Sequence, residues 1–206
     1  MPVPAADEPQ ASAWNLPNAL TVLRLFLVPL LAWLLLREGG DDDLSRVGAF
    51  LTFSVAMVTD KVDGDLARKR GLVTDFGKIA DPIADKALTG AAFIGLSLLH
   101  ELPWWVTVVV LVRELGITAL RFVVIRHGVM PAGRGGKVKT ALQGLALGLY
   151  LLPLPASLHP VEVVAMGIAV TVTVGTGIDY VAQAVRLRRD SPRTAARRAH
   201  QAGAGE

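Results

Sequence analysis

Between Met57 and Leu88 an otherwise oily chain carries Asp60-x2-Asp63-Gly64-x2-Ala67-Arg68 and then Gly77-x3-Asp81-x3-Asp85. Each helical residue advances about 100°, so Asp60, Asp63, Gly64 and Ala67 share one face, with Arg68 at its edge. Asp81 and Asp85 share a face of the following helix, one turn after Gly77. An acid at the centre of a spanning helix costs about 2.5–3.5 kcal/mol, so four uncompensated ones would cost roughly 10. Divalent metal is the obvious neutraliser, and four carboxylates balance two such ions. A donor set of oxygen alone, without His or Cys, favours Mg²⁺ or Mn²⁺, with Ca²⁺ as a competitor. Gly64 and Ala67 leave room for a ligand against the backbone, and Arg68 suits bidentate contact with phosphate. Two ions beside a phosphate can clamp the attacking and leaving oxygens of a displacement.

The elements that must position these residues are helices. Apolar runs predict spans over about Pro17–Leu36, Leu44–Arg68, Asp75–Leu99, Trp104–Ile125, Lys137–Leu152 and Val161–Val185. Asn15 or Asn18 is suited to cap the first, Asp75 to cap the third, and Arg68-Lys69-Arg70-Gly71 to end the second. The short linker from Lys69 to Thr74 predicts that the second and third helices are antiparallel neighbours whose acidic faces meet. Arg126 to Gly136 reads as a basic, Gly-rich loop. Trp104 and Trp105 read as interfacial anchors. Lys and Arg concentrate after the second and fourth spans and in the tail. The positive-inside rule then predicts an all-α integral membrane bundle of six transmembrane helices with both termini cytoplasmic. Residues 1–13 read as a disordered leader, 14–187 as the membrane domain and 188–206 as a basic, disordered tail.

Composition agrees. Of 206 residues, 52% are hydrophobic, too apolar for an ordinary soluble domain. The absence of cysteine excludes disulfides and thiolate metal sites. The net charge of +3, clustered at segment ends, points to an anionic membrane surface and not to nucleic acid. The first apolar run follows an acidic, Pro-rich leader and is long enough to span, so no cleavable signal peptide is expected.

Some ionisable groups have plainer readings. Lys61 and Asp65 are four apart on another face and are expected to pair with each other. Pro82 frees the carbonyl of Lys78, which kinks the helix or shapes the site. Asp179 is expected to pair with a neighbouring cation. Arg24 is suited either to an acid or to a phosphate.

The eight positions from Asp60 to Asp85 resemble the signature of the CDP-alcohol phosphotransferases, with matching spacing. That resemblance implies a membrane enzyme, usually a homodimer with six spans per subunit. Such an enzyme moves a phosphatidyl or similar group from a CDP-linked donor to an alcohol and releases CMP. It implies Asp60, Asp63 and Asp81 as metal ligands, and Asp85 as a ligand and general base. Gly64, Ala67, Arg68 and Gly77 would line the CDP site with the acids Asp60 and Asp63. Three further patterns resemble the phosphatidylglycerophosphate synthase branch of that family. They are Pro17-Asn18-x2-Thr21-x2-Arg24, Arg113-Glu114-x6-Arg121 and Gly136-Lys137-x-Lys139-Thr140-x2-Gln143. With them the resemblance runs from about Asn15 to Asp179.

This branch implies CDP-diacylglycerol as donor and glycerol 3-phosphate as acceptor, on the cytoplasmic side of a bacterial-type inner membrane. Glycerol 3-phosphate is a small dianion, and its pocket needs fixed cations: Arg113, Arg121, Lys137 and Lys139 are the candidates. Lys137 also sits at a helix N-terminus, where the dipole favours anions. Arg113 and Glu114 lie deeper and are suited to orienting each other. Rival readings are another acceptor, inositol phosphate or phosphatidylglycerol, and a divalent-cation transporter. Gly64, Ala67 and Arg68 count against the transporter, because a permeating cation gains nothing from a neighbouring Arg.

Overall fold

The computed structural model describes residues 15–70, 74–124 and 134–189. Among them there are six α-helices: α1 (Leu16–Leu36), α2 (Asp43–Arg70), α3 (Asp75–Leu98), α4 (Trp104–Val124), α5 (Arg134–Leu151) and α6 (His159–Arg189). Short 3-10 turns occupy Arg37–Gly40 and Ala156–Leu158, and no strand occurs among the described residues. The helices follow the apolar runs, with two differences at their starts. Arg134, Gly135 and Gly136, expected in a loop, form the first turn of α5. The cap of α3 is Thr74, not Asp75. Thr74 has extended backbone (φ −105°, ψ 159°) and its hydroxyl accepts from the Gly77 N–H, which leaves Asp75 as the first helical residue.

Asn15, and not Asn18, caps α1, accepting from the Asn18 N–H at 2.9 Å. The chain leaves α1 through three left-handed residues, Glu38, Gly39 and Gly40, with φ of 52°, 72° and 85°. At Gly40 the positive φ favours glycine, and a β-carbon there would also press on the end of the Leu99 side chain at 2.8 Å. Asp42 then takes the N-cap position of α2, accepting from the Leu44 and Ser45 N–H groups and from the Ser45 hydroxyl.

The described residues fall into two compact units. The first comprises α1, α2, α3 and the segment Gly148–Leu154. Here α1 packs along both α2 and α3, while α2 and α3 meet each other over a much shorter stretch. Buried in this unit are Leu31 and Leu35 of α1, Ala49, Phe53 and Ala56 of α2, and Ala84, Leu88, Ala92, Phe93 and Leu96 of α3. At Gly95 a β-carbon would stand 2.5 Å from Leu35. At one end of this unit the buried Arg46 forms a two-point ion pair with Glu101 and donates to the Tyr150 carbonyl. That arrangement ties the C-terminus of α5 to α2.

The second unit comprises α4, most of α5, and α6. Val106, Val110 and Ile117 of α4 and Met166, Ala169 and Val170 of α6 are buried in it. Many outward residues in both units are large and apolar, among them Phe26, Trp33, Val58, Ile79, Val112, Leu145 and Ile178. Trp104 and Trp105 are exposed at the start of α4. Two stretches, Asn18–Gly40 and Ala156–Leu187, are long and apolar enough to cross a membrane by length and composition. Helices α2 to α5 carry ionisable residues within their length.

Candidate functional site

The acids of α2 and α3 are held from a third helix. Asn18, Thr21 and Arg24 follow one another at three-residue spacing on α1, and all three are buried, at 5%, 1% and 1% exposure. Spacing of three keeps them on one side of the helix. Each one touches a different part of the acid constellation. Arg24 Nη1 donates to Asp60 Oδ1 at 2.6 Å. The Thr21 hydroxyl donates to Asp81 Oδ1. Asn18 Oδ1 accepts from the Thr74 hydroxyl at 2.8 Å, and Thr74 in turn caps α3 through the Gly77 N–H at 3.1 Å. A β-carbon on Gly77 would lie 3.1 Å from Asn18 Oδ1 and 3.3 Å from Thr74 Oγ1. Gly77 therefore lets α1 close against the start of α3.

Arg24, left open between an acid and a phosphate, is thus engaged by an acid. A guanidinium with 1% of its side chain exposed needs such a partner, and Asp60, 43% exposed, supplies it. Asn18 and Thr21 stand in the first-helix pattern and Thr74 ends the linker before α3, but residue type alone gives none of the three a role beside the acids. The available signal was three polar residues in register on a helix that is otherwise apolar.

Other expected site residues are placed as follows. Asp81 is half-buried and Asp85 is exposed one turn further along α3. Gly64 is half-buried on α2, one turn after Asp60. Asp63, Ala67 and Arg68 lie within α2 and Arg121 within α4, but their side chains, like those of Asp65 and Asp75, lie outside the described residues. The expected Lys61–Asp65 pair falls there too. Among the described residues no three His, Asp or Glu side chains come together as a metal-holding group. The donor chemistry nevertheless suits a hard cation: Asp60, Asp81 and Asp85 present carboxylate oxygens, and two of the three are oriented by fixed donors from α1. Among the described residues Asp179 accepts from the Gln183 amide at 2.7 Å, and the cation expected beside it is not found among them.

The second unit holds a separate polar cluster. Glu114 on α4 accepts from Arg113 Nη1 at 2.9 Å and from the Lys139 ammonium of α5. Arg113 Nη2 donates to Thr176 Oγ1 of α6 at 3.0 Å. One turn beyond Lys139, the buried Gln143 donates to Thr173 at 3.1 Å. Arg113 and Glu114 do orient each other, and Lys139 joins them. Lys137 stands apart as an exposed residue in the first turn of α5.

Comparison with known proteins agrees with this reading. A protein of Mycobacterium tuberculosis named "Probable phosphatidylglycerophosphate synthase" is 54% identical over 172 residues, covering 84% of this chain and 82% of its own. A Bacillus subtilis protein named CDP-diacylglycerol–glycerol-3-phosphate 3-phosphatidyltransferase is 37% identical, over 81% of this chain and 93% of its own. A Streptomyces coelicolor protein named cardiolipin synthase (CMP-forming) is 34% identical, over 85% of each chain. The family model for CDP-alcohol phosphatidyltransferase matches residues 14–175, a stretch that contains the whole acid signature, its α1 partners and the Arg113–Glu114–Lys139 cluster, and the chain belongs to that family.

Proposed function

We propose that this protein transfers the phosphatidyl group of CDP-diacylglycerol to glycerol 3-phosphate, giving phosphatidylglycerophosphate and CMP. The observation that carries this reading is similarity over more than four-fifths of the chain to relatives named for that reaction, together with all eight signature positions. The protein acts as an integral membrane bundle of six spanning helices, spanning residues 14–187, with its termini and active site on the cytoplasmic side of the inner membrane, and it works as a homodimer. Apolar outward surfaces and two membrane-length helices support the membrane placement.

Asp60, Asp63, Asp81 and Asp85 are assigned to two divalent cations, Mg²⁺ or Mn²⁺. When bound, such ions neutralise the diphosphate and polarise its phosphorus. Gly64 and Ala67 leave space for the CDP moiety, Gly77 lines it where α1 closes on the start of α3, and Arg68 adds charge beside it. Arg113, Arg121, Lys137 and Lys139 take the acceptor's phosphate. Asp85, exposed on α3, accepts the proton of the acceptor's primary hydroxyl. That oxygen attacks the phosphorus that bears the lipid. A new P–O bond forms as the bond to CMP breaks, and CMP leaves with the electron pair. Most of the acceleration comes from positioning and fixed charge in a low-dielectric site.

The Streptomyces coelicolor relative named cardiolipin synthase supports a second reading, with phosphatidylglycerol as acceptor. Purified protein given CDP-diacylglycerol with glycerol 3-phosphate, inositol phosphate or phosphatidylglycerol separates the readings through CMP release and the lipid product. Release that depends on glycerol 3-phosphate is expected. Release supported only by phosphatidylglycerol would overturn the first reading.

A further inference from the structure

Helix α6 carries two threonines, Thr173 and Thr176, that make the same double contact. The Thr173 hydroxyl donates to the Ala169 carbonyl at 2.6 Å and accepts from Gln143 Nε2 of α5 at 3.1 Å. The Thr176 hydroxyl donates to the Val172 carbonyl at 2.7 Å, with the Thr173 carbonyl at 3.1 Å, and accepts from Arg113 Nη2 of α4 at 3.0 Å. A hydroxyl has one hydrogen and two lone pairs. Each hydrogen is committed to the backbone of α6, so each threonine shows its neighbouring helix an acceptor. That polarity suits an amide N–H or a guanidinium, and not a carboxylate.

Next to Thr176, the buried Gly177 shapes the same contact. A β-carbon there would lie 3.1 Å from Arg113 Cγ and 3.5 Å from its Nε, so the arginine stem runs against bare backbone. Glu114 accepts from Nη1 at 2.9 Å. The two terminal nitrogens and the stem of Arg113 are thus held by three different residues, and its side chain is only 12% exposed. A loose arginine side chain carries about 2 kcal/mol of rotamer entropy. Here much of that freedom is already lost in the fold. These two bonds use one hydrogen on each terminal nitrogen, and each such nitrogen carries two.

We propose that Thr176 and Gly177 are positioning residues of the acceptor site. They hold the Arg113 guanidinium in one orientation, so that its further hydrogens meet a phosphate group without first being ordered. Neither residue touches the acceptor. Their contribution is the ordering that binding would otherwise have to supply, and it acts on KM more than on kcat. The inference rests on the reading above that Arg113 takes the acceptor's phosphate, and it assigns to α6 the aim of that arginine.

The test is a double-variant cycle on the full-length protein in nanodiscs, with kcat, KM for glycerol 3-phosphate and a thermal unfolding curve for each variant. Thr176→Val keeps the shape and removes the acceptor oxygen. It is expected to raise KM by about 3–10-fold, the scale of ordering one long side chain, with kcat moving less. Thr176→Ser restores the oxygen and should return KM close to the wild-type value. Arg113→Lys raises KM by itself, and in that background Thr176→Val should add little, because the group it orients is gone. If Thr176→Val does not fold, Gly177→Ala, which keeps the hydroxyl and displaces the arginine stem, decides by the same cycle. A folded variant with wild-type KM, while Arg113→Lys still raises it, overturns the inference and leaves the acceptor reading standing. So does a rise in KM that persists undiminished in the Arg113→Lys background. An unchanged KM in Arg113→Lys overturns the reading of Arg113 as phosphate ligand, and the inference with it. Turnover of phosphatidylglycerol but not glycerol 3-phosphate would overturn the acceptor reading alone, since the same cycle read on the KM for phosphatidylglycerol then decides the role of Thr176.

Discussion

Arg24 of α1 reaches across to Asp60 of α2 with 2.6 Å between Nη1 and Oδ1, and the arginine is buried while the aspartate is nearly half exposed. The asymmetry makes the two residues unequal in mutation. Asp60→Asn removes a charge that a buried guanidinium meets at 2.6 Å and is expected to lower stability by about 2 kcal/mol, less than a fully buried pair because Asp60 is partly hydrated. Arg24→Met fills the same space with apolar atoms and leaves a carboxylate that water can reach, so its thermal unfolding should shift less. Both should lose activity, because Asp60 loses either its charge or its orientation. Unfolding curves of the two variants in one detergent check the order. A larger loss in Arg24→Met would contradict it.

The Thr21–Asp81 hydrogen bond gives a cleaner kinetic test. A hydrogen bond to a charged group contributes about 1.5–3 kcal/mol, so Thr21→Val should reduce kcat by about 10–100-fold if Asp81 must be oriented for turnover. Thr21→Ser keeps the donor and should restore most of the rate. Equal rates in Thr21→Val and wild type would show that Asp81 needs no help from α1.

Gly77 probes the same interface by bulk. A methyl group there lies 3.1 Å from Asn18 Oδ1, closer than a relaxed contact, and 3.7 Å from Asp81 Oδ2. Gly77→Ala must push Asn18 and the Thr74 cap by a few tenths of an ångström. The expected result is a loss of about 1–2 kcal/mol in stability with a larger fall in activity. Pairing Gly77→Ala with Asn18→Ala, which removes the obstructing oxygen, should recover part of the stability. Additive losses in the double variant would disprove the contact.

The Arg46–Glu101 pair, with the Tyr150 carbonyl as third partner, lies in the same unit but involves none of the signature residues. Glu101→Gln weakens a largely buried pair whose acid is one-third exposed, and should cost about 2–3 kcal/mol. Residual activity per folded molecule should remain near wild type, read as kcat on protein that survives heat treatment.

Acid should loosen the start of α2. The Ser45 hydroxyl, and then the Leu44 and Ser45 amides, hold the Asp42 carboxyl below its ordinary value of 3.8. A lowered folded value means that the cap contributes stability above the ordinary value and loses it as pH falls through the folded one. Hydrogen exchange of the Leu44 and Ser45 amides should therefore quicken, relative to intrinsic rates, below about pH 4. Asp42→Asn, which still accepts but does not titrate, should abolish that pH dependence.

Much of this protein was legible in its residues alone. Helical register put Asp60, Asp63 and Gly64 on one face and Asp81 with Asp85 on another, because 3.6 residues per turn is a property of the backbone and not of the fold. Apolar runs located six helices for the same reason, and the spacing from Asp60 to Asp85 pointed to the family. Helix starts were less legible. The polar side chains of Thr74 and Asp75 are both able to cap, and only the extended backbone at Thr74 decided between them. Gly135 and Gly136, which read as loop, continue a helix.

The partners of Asp60 and Asp81 were a matter for tertiary structure. The sequence pointed to a site between the second and third helices, but α1 packs along both and supplies Arg24 to one and Thr21 to the other. Nothing local distinguishes an arginine that meets a phosphate from one that meets an aspartate 36 residues away. That choice depends on which helices lie side by side, and helix packing is set by surfaces whose pairing no single helix encodes. Gly77 shows the same division: its identity is plain in the sequence, while its tight fit, 3.1 Å from a β-carbon placed there to the oxygen of Asn18, exists only once α1 is in place.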